Sequence, residues 1–156
     1  LTTDKNVDLV TASEYLDANA PRETLTIPES SWGAGGTHDV WDNADNHWMW
    51  QPIHEMEARI ETLARQHSAP DPDVRVVLNQ AARESLLAQS SDWQFQVTSK
   101  QAADYATQRF NSHVERFDKL ASSVESGKPD RALADELYEQ DKVFADIDYR
   151  WFGEIS

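Results

Sequence analysis

Apolar residues recur every three or four positions over most of the chain, a spacing that predicts amphipathic helices. From Trp50 onward this pattern forms four stretches. The positions predicted to face a core are Ile53, Met56, Ile60 and Leu63; then Val74, Val77, Leu78, Ala81, Ser85 and Ala88; then Ala103, Ala106, Phe110, Val114, Phe117, Leu120 and Ala121; and finally Leu133 and Leu137. The sequence therefore predicts a mainly α fold, with a bundle of about four helices.

Two local signals refine the bundle. Thr98 followed by Gln101 has the spacing of a capping box, which predicts that the longest helix begins there. The end of the chain, FADIDYRWF at residues 144–152, is rich in aromatic residues. We expect this tail to pack against the bundle, because large aromatic side chains are usually buried.

The first 46 residues follow a different pattern. Residues 7–10 (VDLV) predict a short strand that leads directly into a helix, with Thr11 as its N-cap and Glu14 completing a capping box. A strand followed at once by a helix is typical of the last unit of an α/β domain, and one such unit cannot bury itself. Residues 21–46 then predict a long irregular segment, and long segments of that kind are commonly functional.

Composition narrows the classes of partner. The 156 residues suffice for one domain, and 14 basic against 28 acidic residues give a net charge of −14. Lys and Arg form no cluster, so we expect neither a nucleic acid nor a membrane as partner, and the charge favours a neutral ligand. The chain does not begin with Met, which indicates a piece of a longer protein.

The chain has no cysteine, which excludes disulfides and thiolate chemistry and is consistent with the cytoplasm. No apolar run approaches the roughly 20 residues that would span a bilayer. His38, His47 and His54 lie among aspartates, but their spacing matches no zinc or calcium motif. We therefore expect neither a metal nor a cofactor.

The most informative segment is ESSWGAGGTHDVW, residues 29–41, which sets Trp32 and Trp41 in a glycine-rich stretch. Sugar rings have apolar C–H faces and a rim of hydroxyl groups, so an indole ring flanked by polar groups suits them. The alternative is that the tryptophans fill a core, a role that fits Trp48 and Trp50 better than Trp32 and Trp41.

The glycines of this segment have two explanations. Gly33, Gly35 and Gly36 allow either tight turning of the chain or close approach of its backbone to a ligand. A phosphate-binding loop is disfavoured because the lysine of that motif is missing and no strand leads directly into the loop.

A second unusual segment is LLAQSSDWQF, residues 86–95, where Asp92 follows an apolar helix. The simplest role for Asp92 is local, capping a turn or binding neighbouring N–H groups. Glu29 and Asp92 are also candidates for the paired carboxylates of a glycosidase, an interpretation that requires roughly 5 to 10 Å between them.

Several motifs together resemble one family. LTIPESSWGAGGTHDVW, LLAQSSDWQF, the AxxYAxxRFxxHxERF pattern at residues 102–117 and the closing DxDYRWF are similar to the C-terminal portion of glycoside hydrolase family 57 α-glucan branching enzymes. The resemblance runs from about Val7 to Phe152. It implies an enzyme that cuts α-1,4-glucan and rejoins the piece through an α-1,6 link, as in glycogen biosynthesis, with a glutamate nucleophile and an aspartate acid/base on a (β/α)7 barrel.

The resemblance implies a division of the chain and of its roles. Residues 1–28 correspond to the end of the barrel domain, and residues 29–156 to a substrate-contacting loop and a C-terminal helical domain. The family's catalytic pair lies upstream of the matching region, so no residue of this chain inherits either catalytic role. The implied partners are an α-1,4-glucan or maltooligosaccharide and the upstream barrel.

The resemblance also implies site residues. Trp32 and Trp41 match two tryptophans that contribute to the glucan-binding cleft, and Asp92 matches an aspartate that approaches the active site. Possible members of a substrate loop are Gly33, Gly35, Gly36 and His38. Three alternatives stay open: an independent carbohydrate-binding module, part of a family 57 amylase or glucanotransferase, and a purely structural helical domain.

Overall fold

The computed structural model of the chain describes residues 7–153, and most of them lie in helices. The α-helices are α1 (Ala12–Ala18), α2 (Trp50–Gln66), α3 (Pro72–Ala88), α4 (Asp92–Ser99), α5 (Ala103–Glu125) and α6 (Arg131–Gln140), and short 3₁₀ helices cover Ala34–Gly36, His47–Met49 and Tyr149–Gly153. The predicted mainly α fold is confirmed. The chain divides into two compact units, Leu1–Ser30 and Ser31–Ser156.

The strand predicted at residues 7–10 is absent from the structure. These residues are exposed and have no regular secondary structure. A strand is stabilised by hydrogen bonds to a neighbouring strand, and residues 7–153 contain no other strand that could pair with it. The prediction was wrong because apolar β-branched residues alone do not make a strand.

Helix α1 begins where the sequence predicted. Glu14 donates its backbone N–H to Thr11 Oγ1 at 3.2 Å, and Thr11 donates its own N–H to Glu14 Oε2 at 2.7 Å, which completes the capping box. The helix buries none of its residues. Large apolar side chains of this unit, among them Leu16, Leu25 and Ile27, are more than half exposed.

The second unit is a bundle in which α3 and α5 pack along each other at the centre. Helix α2 packs against both, α4 packs against α5, and α6 packs against α3. All the core positions predicted on α2 and α3 are buried, as are most of those on α5 and α6. The unit contains five α-helices between residues 31 and 153, not about four. The additional helix, α4, has eight residues and buries only Gln94 and Val97, too few to form a recognisable stripe.

A buried polar layer ties the central helices to the C-terminal segment. His113 Nδ1 on α5 lies 2.7 Å from Glu84 Oε2 on α3, and both side chains are fully buried. Gln80 donates to the other oxygen of Glu84 at 2.7 Å. Arg83 donates to Gln80 and also to the carbonyl oxygen of Val143, and its burial lowers its pKa. Each buried charge is therefore hydrogen-bonded, as its desolvation requires.

The predicted docking of the aromatic tail is confirmed. Tyr149 is fully buried, its hydroxyl donates to the carbonyl oxygen of His67, and its N–H donates to Asn79 Oδ1 at 3.0 Å. Gly153 lies so close to α2 that a Cβ atom at this position would be 3.2 Å from Ala64 Cβ. The tail thus joins the end of α2 to α3.

The carboxylate of Asp148 gives this tail a measurable pH dependence. The hydrogen bond from Arg150 is the main cause that lowers the pKa of Asp148 from 3.8 to about 2, with Arg75 contributing a weaker attraction. Because the folded-state pKa is the lower one, the stabilisation is complete above about pH 4 and is lost as the pH falls toward 2.

Replacing Asp148→Asn should therefore lower the free energy of unfolding by about 1 kcal/mol at pH 6, less than the full shift would give because solvent screens both arginines. Urea unfolding at pH 6 and pH 3 should show a smaller difference between variant and wild type at pH 3. Asp146→Asn, an exposed neighbour, is the control. A deficit of the same size at both pH values would contradict this assignment.

Candidate functional site

Three aromatic rings form a cluster at the surface of the bundle. The ring of Trp32 lies 5.3 Å from that of Trp41, nearly perpendicular to it at 77°, and 5.6 Å from that of Phe95 on α4. Trp32 is nevertheless 76% exposed. We call these three residues the aromatic platform. Its geometry holds the Trp32 indole in place while leaving most of it open to a ligand.

The loop that carries Trp32 and Trp41, residues 31–46, depends on its glycines. Gly35 and Gly36 have φ values of +69° and +73°, a region that other residues rarely adopt. Gly33 is buried, and a Cβ atom there would lie 3.0 Å from Val40 Cγ2 and 3.1 Å from the carbonyl oxygen of Thr37. Turn formation and close packing within the loop account for these three residues, and their contact with substrate stays a prediction.

A hydrogen-bonded clamp fixes this loop to α4. The carbonyl oxygen of Val40 accepts hydrogen bonds from Thr98 Oγ1 at 2.7 Å and from Asn46 Nδ2 at 3.0 Å. Asn46 is fully buried and also accepts the N–H of Asn43 at 2.8 Å. We refer to Thr98 and Asn46, with the Val40 carbonyl, as the loop clamp. The predicted capping role of Thr98 was wrong, because α5 begins after Ala102 without a side-chain cap.

The remaining tryptophans of this region attach the loop to the bundle. Trp50 Nε1 donates to the carbonyl oxygen of Trp41 at 3.0 Å, and its half-buried ring packs against the core. The ring of Trp48 meets that of Phe110 edge-on at 5.4 Å and is 42% exposed. The distinction drawn from the sequence holds for half-buried Trp50 against exposed Trp32, but not for Trp48, which is exposed whereas Trp41 is half-buried.

Asp92 is the first residue of α4 and is exposed. A carboxylate is favourable at this position because it faces the positive end of the helix dipole. The N-cap position itself is occupied by Ser91. Residues three apart on a helix are neighbours on its surface, so Asp92 lies beside Phe95, which contacts Trp32. Helix α4 therefore brings Asp92 and the aromatic platform to one side of the bundle.

An open pocket of about 900 Å³ adjoins the platform. We call it the α2 pocket. It is lined mainly by apolar surface, with His38 and Trp41 from the loop and Trp50, Gln51, His54 and Glu55 from α2. His38 and Trp41 were candidates from the sequence, which considered Trp50 only as a core residue and His54 only as a metal ligand. Gln51 and Glu55 were missed because they show only as the polar side of an amphipathic helix. Trp41 belongs to both the platform and the pocket.

The histidines near the pocket form separate pairs with carboxylates. His47 Nδ1 lies 2.6 Å from Asp42 Oδ1, and His54 Nδ1 lies 3.0 Å from Glu57 Oε2. Within residues 7–153, no three His, Asp or Glu side chains converge in a metal-binding arrangement. In the same range, no helix has the length and apolarity needed to cross a membrane.

Comparison with known proteins shows which family has this sequence and fold. The profile of the family described as 1,4-alpha-glucan branching enzyme, C-terminal, matches residues 52–152. A 1,4-alpha-glucan branching enzyme of Thermococcus kodakarensis is 33% identical in an alignment of 148 positions that covers 92% of this chain and 22% of that protein. The crystal structure of a GH57-type branching enzyme from Pyrococcus horikoshii is 34% identical, with a TM-score of 0.82, over 97% of this chain and 30% of that one.

A third relative has a different activity. The crystal structure of the alpha-amylase AmyC from Thermotoga maritima is also 34% identical, with a TM-score of 0.78 over 99% of this chain and 28% of that one. The fold is thus that of the C-terminal part of GH57-type branching enzymes, and this alpha-amylase shares it. The chain belongs to the 1,4-alpha-glucan branching enzyme family and matches its C-terminal domain. It spans between about a fifth and a third of the length of these relatives.

The loop clamp makes a prediction about stability. Replacing Asn46→Ala leaves buried hydrogen-bonding groups without partners and should lower the free energy of unfolding by about 1–3 kcal/mol. Amide hydrogen exchange at residues 41–46 should accelerate at the same time. Asn111→Ala, an exposed asparagine on α5, is the matched control for urea unfolding. An Asn46 variant as stable as this control, with unchanged exchange, would show that the clamp does not hold the loop.

Proposed function

We propose that this chain is the glucan-contacting C-terminal domain of a branching enzyme that cleaves α-1,4-glucan and transfers the piece to form α-1,6 branches. The observation that carries the proposal is the 76% exposure of Trp32 beside two supporting aromatic rings. Large aromatic side chains are usually buried, whereas a sugar-binding surface presents them, and Trp32 is the most exposed of the large aromatic residues within residues 7–153, at 76% against 58% for Trp151.

The chemistry of the platform suits a glucose ring. The exposed indole of Trp32 offers a flat apolar surface for the C–H face of the sugar, and covering it with sugar removes apolar area from water. Asp92, beside Phe95 on α4, supplies a carboxylate that accepts hydrogen bonds from hydroxyl groups. Trp41 supports Trp32 and offers a second indole to the glucan.

In this proposal the chain positions substrate and performs no bond chemistry. The nucleophile and the acid/base belong to an upstream barrel, and the platform holds a glucan chain in the cleft beside them. Holding an acceptor glucan close to a covalent glycosyl intermediate, while excluding water, favours transfer over hydrolysis.

We further propose that residues 1–28 are the end of that barrel domain. Helix α1 buries none of its own side chains. Leu9, Val10, Leu25 and Ile27 are all more than half exposed, and so large an apolar surface is suited to packing against another part of the protein. The whole enzyme would act in glycogen biosynthesis in the cytoplasm. The absence of cysteine from this chain is consistent with that compartment.

A second candidate function follows from the likeness to the alpha-amylase of Thermotoga maritima. A similar helical domain can serve a barrel that hydrolyses or rearranges α-glucan without branching it, since the reaction is decided in the barrel. Incubating the complete enzyme with amylose separates the two. New α-1,6 links indicate branching, and reducing ends that accumulate without branches indicate hydrolysis.

The platform predicts a specific loss of binding. Titration of this chain with maltoheptaose should give a saturable change in tryptophan fluorescence, and Trp32→Ala should weaken the affinity about tenfold or more, since the stacked indole contributes on the order of 1.4 kcal/mol. Trp151→Ala removes another exposed tryptophan, on the C-terminal 3₁₀ helix, and should leave the affinity unchanged. Equal affinity in the wild type and both variants would contradict the role of Trp32.

Asp92 predicts a polar contribution that can be separated from helix stability. Asp92→Asn and Asp104→Asn each remove a carboxylate from the first turn of a helix, so both should cost a similar few tenths of a kcal/mol in stability. Calorimetric titration with maltoheptaose should show about a fivefold loss of affinity for Asp92→Asn alone. A loss of similar size in both variants would assign the effect to the helix, not to a sugar contact.

A further inference from the structure

The α2 pocket extends beyond the residues that the proposed function uses. The buried stripe of α2 runs through Ile53, Met56 and Ile60, whereas the pocket is formed by a different side of the same helix. Trp50 and His54 are one turn apart there, and their rings are stacked at 5.9 Å and 25°. Together the stacked rings of Trp50 and His54 form an extended flat wall of the pocket, which the bundle leaves open.

The polar side chains around this wall are already ordered. His54 is held by Glu57, His47 by Asp42, and Gln51 donates to Glu55 Oε1 at 2.8 Å. Of the pocket's own carboxylates, Asp42 and Glu55 each have a second oxygen, and the Gln51 amide has a carbonyl oxygen, with which to bind a ligand. Side chains held in this way lose less conformational entropy when a ligand binds.

The charge and shape of the pocket select a class of ligand. None of its lining residues is Lys or Arg, and two of them, Asp42 and Glu55, are acidic, which disfavours phosphates and other anions. An apolar aromatic wall bordered by hydrogen-bonding groups suits a neutral molecule with both apolar faces and hydroxyl groups. The volume of about 900 Å³ lies in the range of small-molecule sites, roughly 300–1,000 Å³, and has room for more than one sugar ring.

Trp41 connects the pocket to the platform. Its ring meets Trp32 on one side at 5.3 Å, and the same residue lines the pocket together with Trp50. The Trp50 indole N–H also donates a hydrogen bond to the carbonyl oxygen of Trp41 at 3.0 Å. This bond links the wall of the pocket to the residue that supports the platform. A ligand long enough to cover Trp32 can therefore continue across Trp41 to α2.

We propose that the α2 pocket is a second saccharide-binding site, in which the Trp50–His54 pair stacks on glucose rings and Gln51 and Glu55 bind their hydroxyl groups. This inference rests on the proposed function in that the ligand is the same α-1,4-glucan. It goes further in that it assigns a site on α2 that lengthens the glucan path beyond the platform.

The test uses the ¹⁵N-labelled full chain titrated with maltotriose and with maltoheptaose. Amide shifts are followed separately for pocket residues Gln51, His54 and Glu55 and for platform residues Trp32 and Phe95. We expect maltoheptaose to shift both groups and to bind more tightly than maltotriose. His54→Ala should weaken the affinity for maltoheptaose about three- to tenfold. His54→Phe, which keeps a ring on Trp50, should retain most of it.

Matched substitutions on one helix separate the site from general effects on α2. Gln51→Ala should weaken maltoheptaose binding, whereas Gln66→Ala, at the other end of α2 and outside the pocket, should leave the affinity unchanged. Both glutamines are exposed, so neither substitution disturbs the core.

The outcomes distinguish this inference from the proposed function. Shifts confined to platform residues, with His54→Ala binding as the wild type does, would overturn the pocket site and leave the platform standing. Shifts confined to pocket residues would support the pocket and contradict the role of Trp32. If neither group shifts at saturating maltoheptaose, both are wrong.

Discussion

The position of the candidate site depends on one carbonyl oxygen, that of Val40, which accepts hydrogen bonds from Thr98 and Asn46. The loop of residues 31–46 contains no α-helix, and short-range hydrogen bonds such as Gly36 N–H to Gly33 O and Trp41 N–H to His38 O shape its turns. Its position on the bundle is set where it is fastened to α4 and α2. Val40 directly precedes Trp41, and the carbonyl of Trp41 is fastened in turn by Trp50. These hydrogen bonds to the carbonyl oxygens of Val40 and Trp41 restrict the backbone that carries the Trp41 indole, against which Trp32 packs.

The bundle supplies the rigidity that these hydrogen bonds need. Thr98 and Phe95 lie on α4, which packs against α5, and α5 is joined to α3 by the buried Glu84–His113 pair. Trp50 lies at the start of α2, whose other end is held by Tyr149 through the carbonyl of His67. The polar layer and the docked tail are far from Trp32 along the chain, yet they stabilise the packing of α2 and α5, and α4, which packs on α5, contacts the loop of residues 31–46. Stability and site geometry are therefore coupled.

The sequence predicts the parts of this molecule that are determined locally or by regular spacing. The stripes through Ile53 and Val77, and the capping box of Thr11 and Glu14, are all present in the structure. The strand at residues 7–10 is not, because a strand depends on a partner that the local sequence does not contain. Helix α4 escaped prediction because eight residues are too few for a periodic signal.

The same physical distinction explains what was missed in the site. Trp32, Trp41 and Asp92 stand out as residue types in an unexpected context, and the structure brings their segments together. Phe95, Asn46 and Thr98 matter through contacts across 50 or more residues, which no local pattern encodes. Thr98 illustrates this most clearly, since its spacing to Gln101 fits a capping box while its hydroxyl binds the loop instead.

The most direct test of the central claim is a crystal structure of this chain with maltoheptaose bound. We predict a glucose ring stacked on the exposed face of Trp32, with a hydroxyl group within hydrogen-bonding distance of Asp92 and the glucan continuing toward Trp41. Glucan bound elsewhere on the bundle, with the Trp32 indole bare at saturating ligand, would contradict the claim that the aromatic platform is a glucan-binding surface.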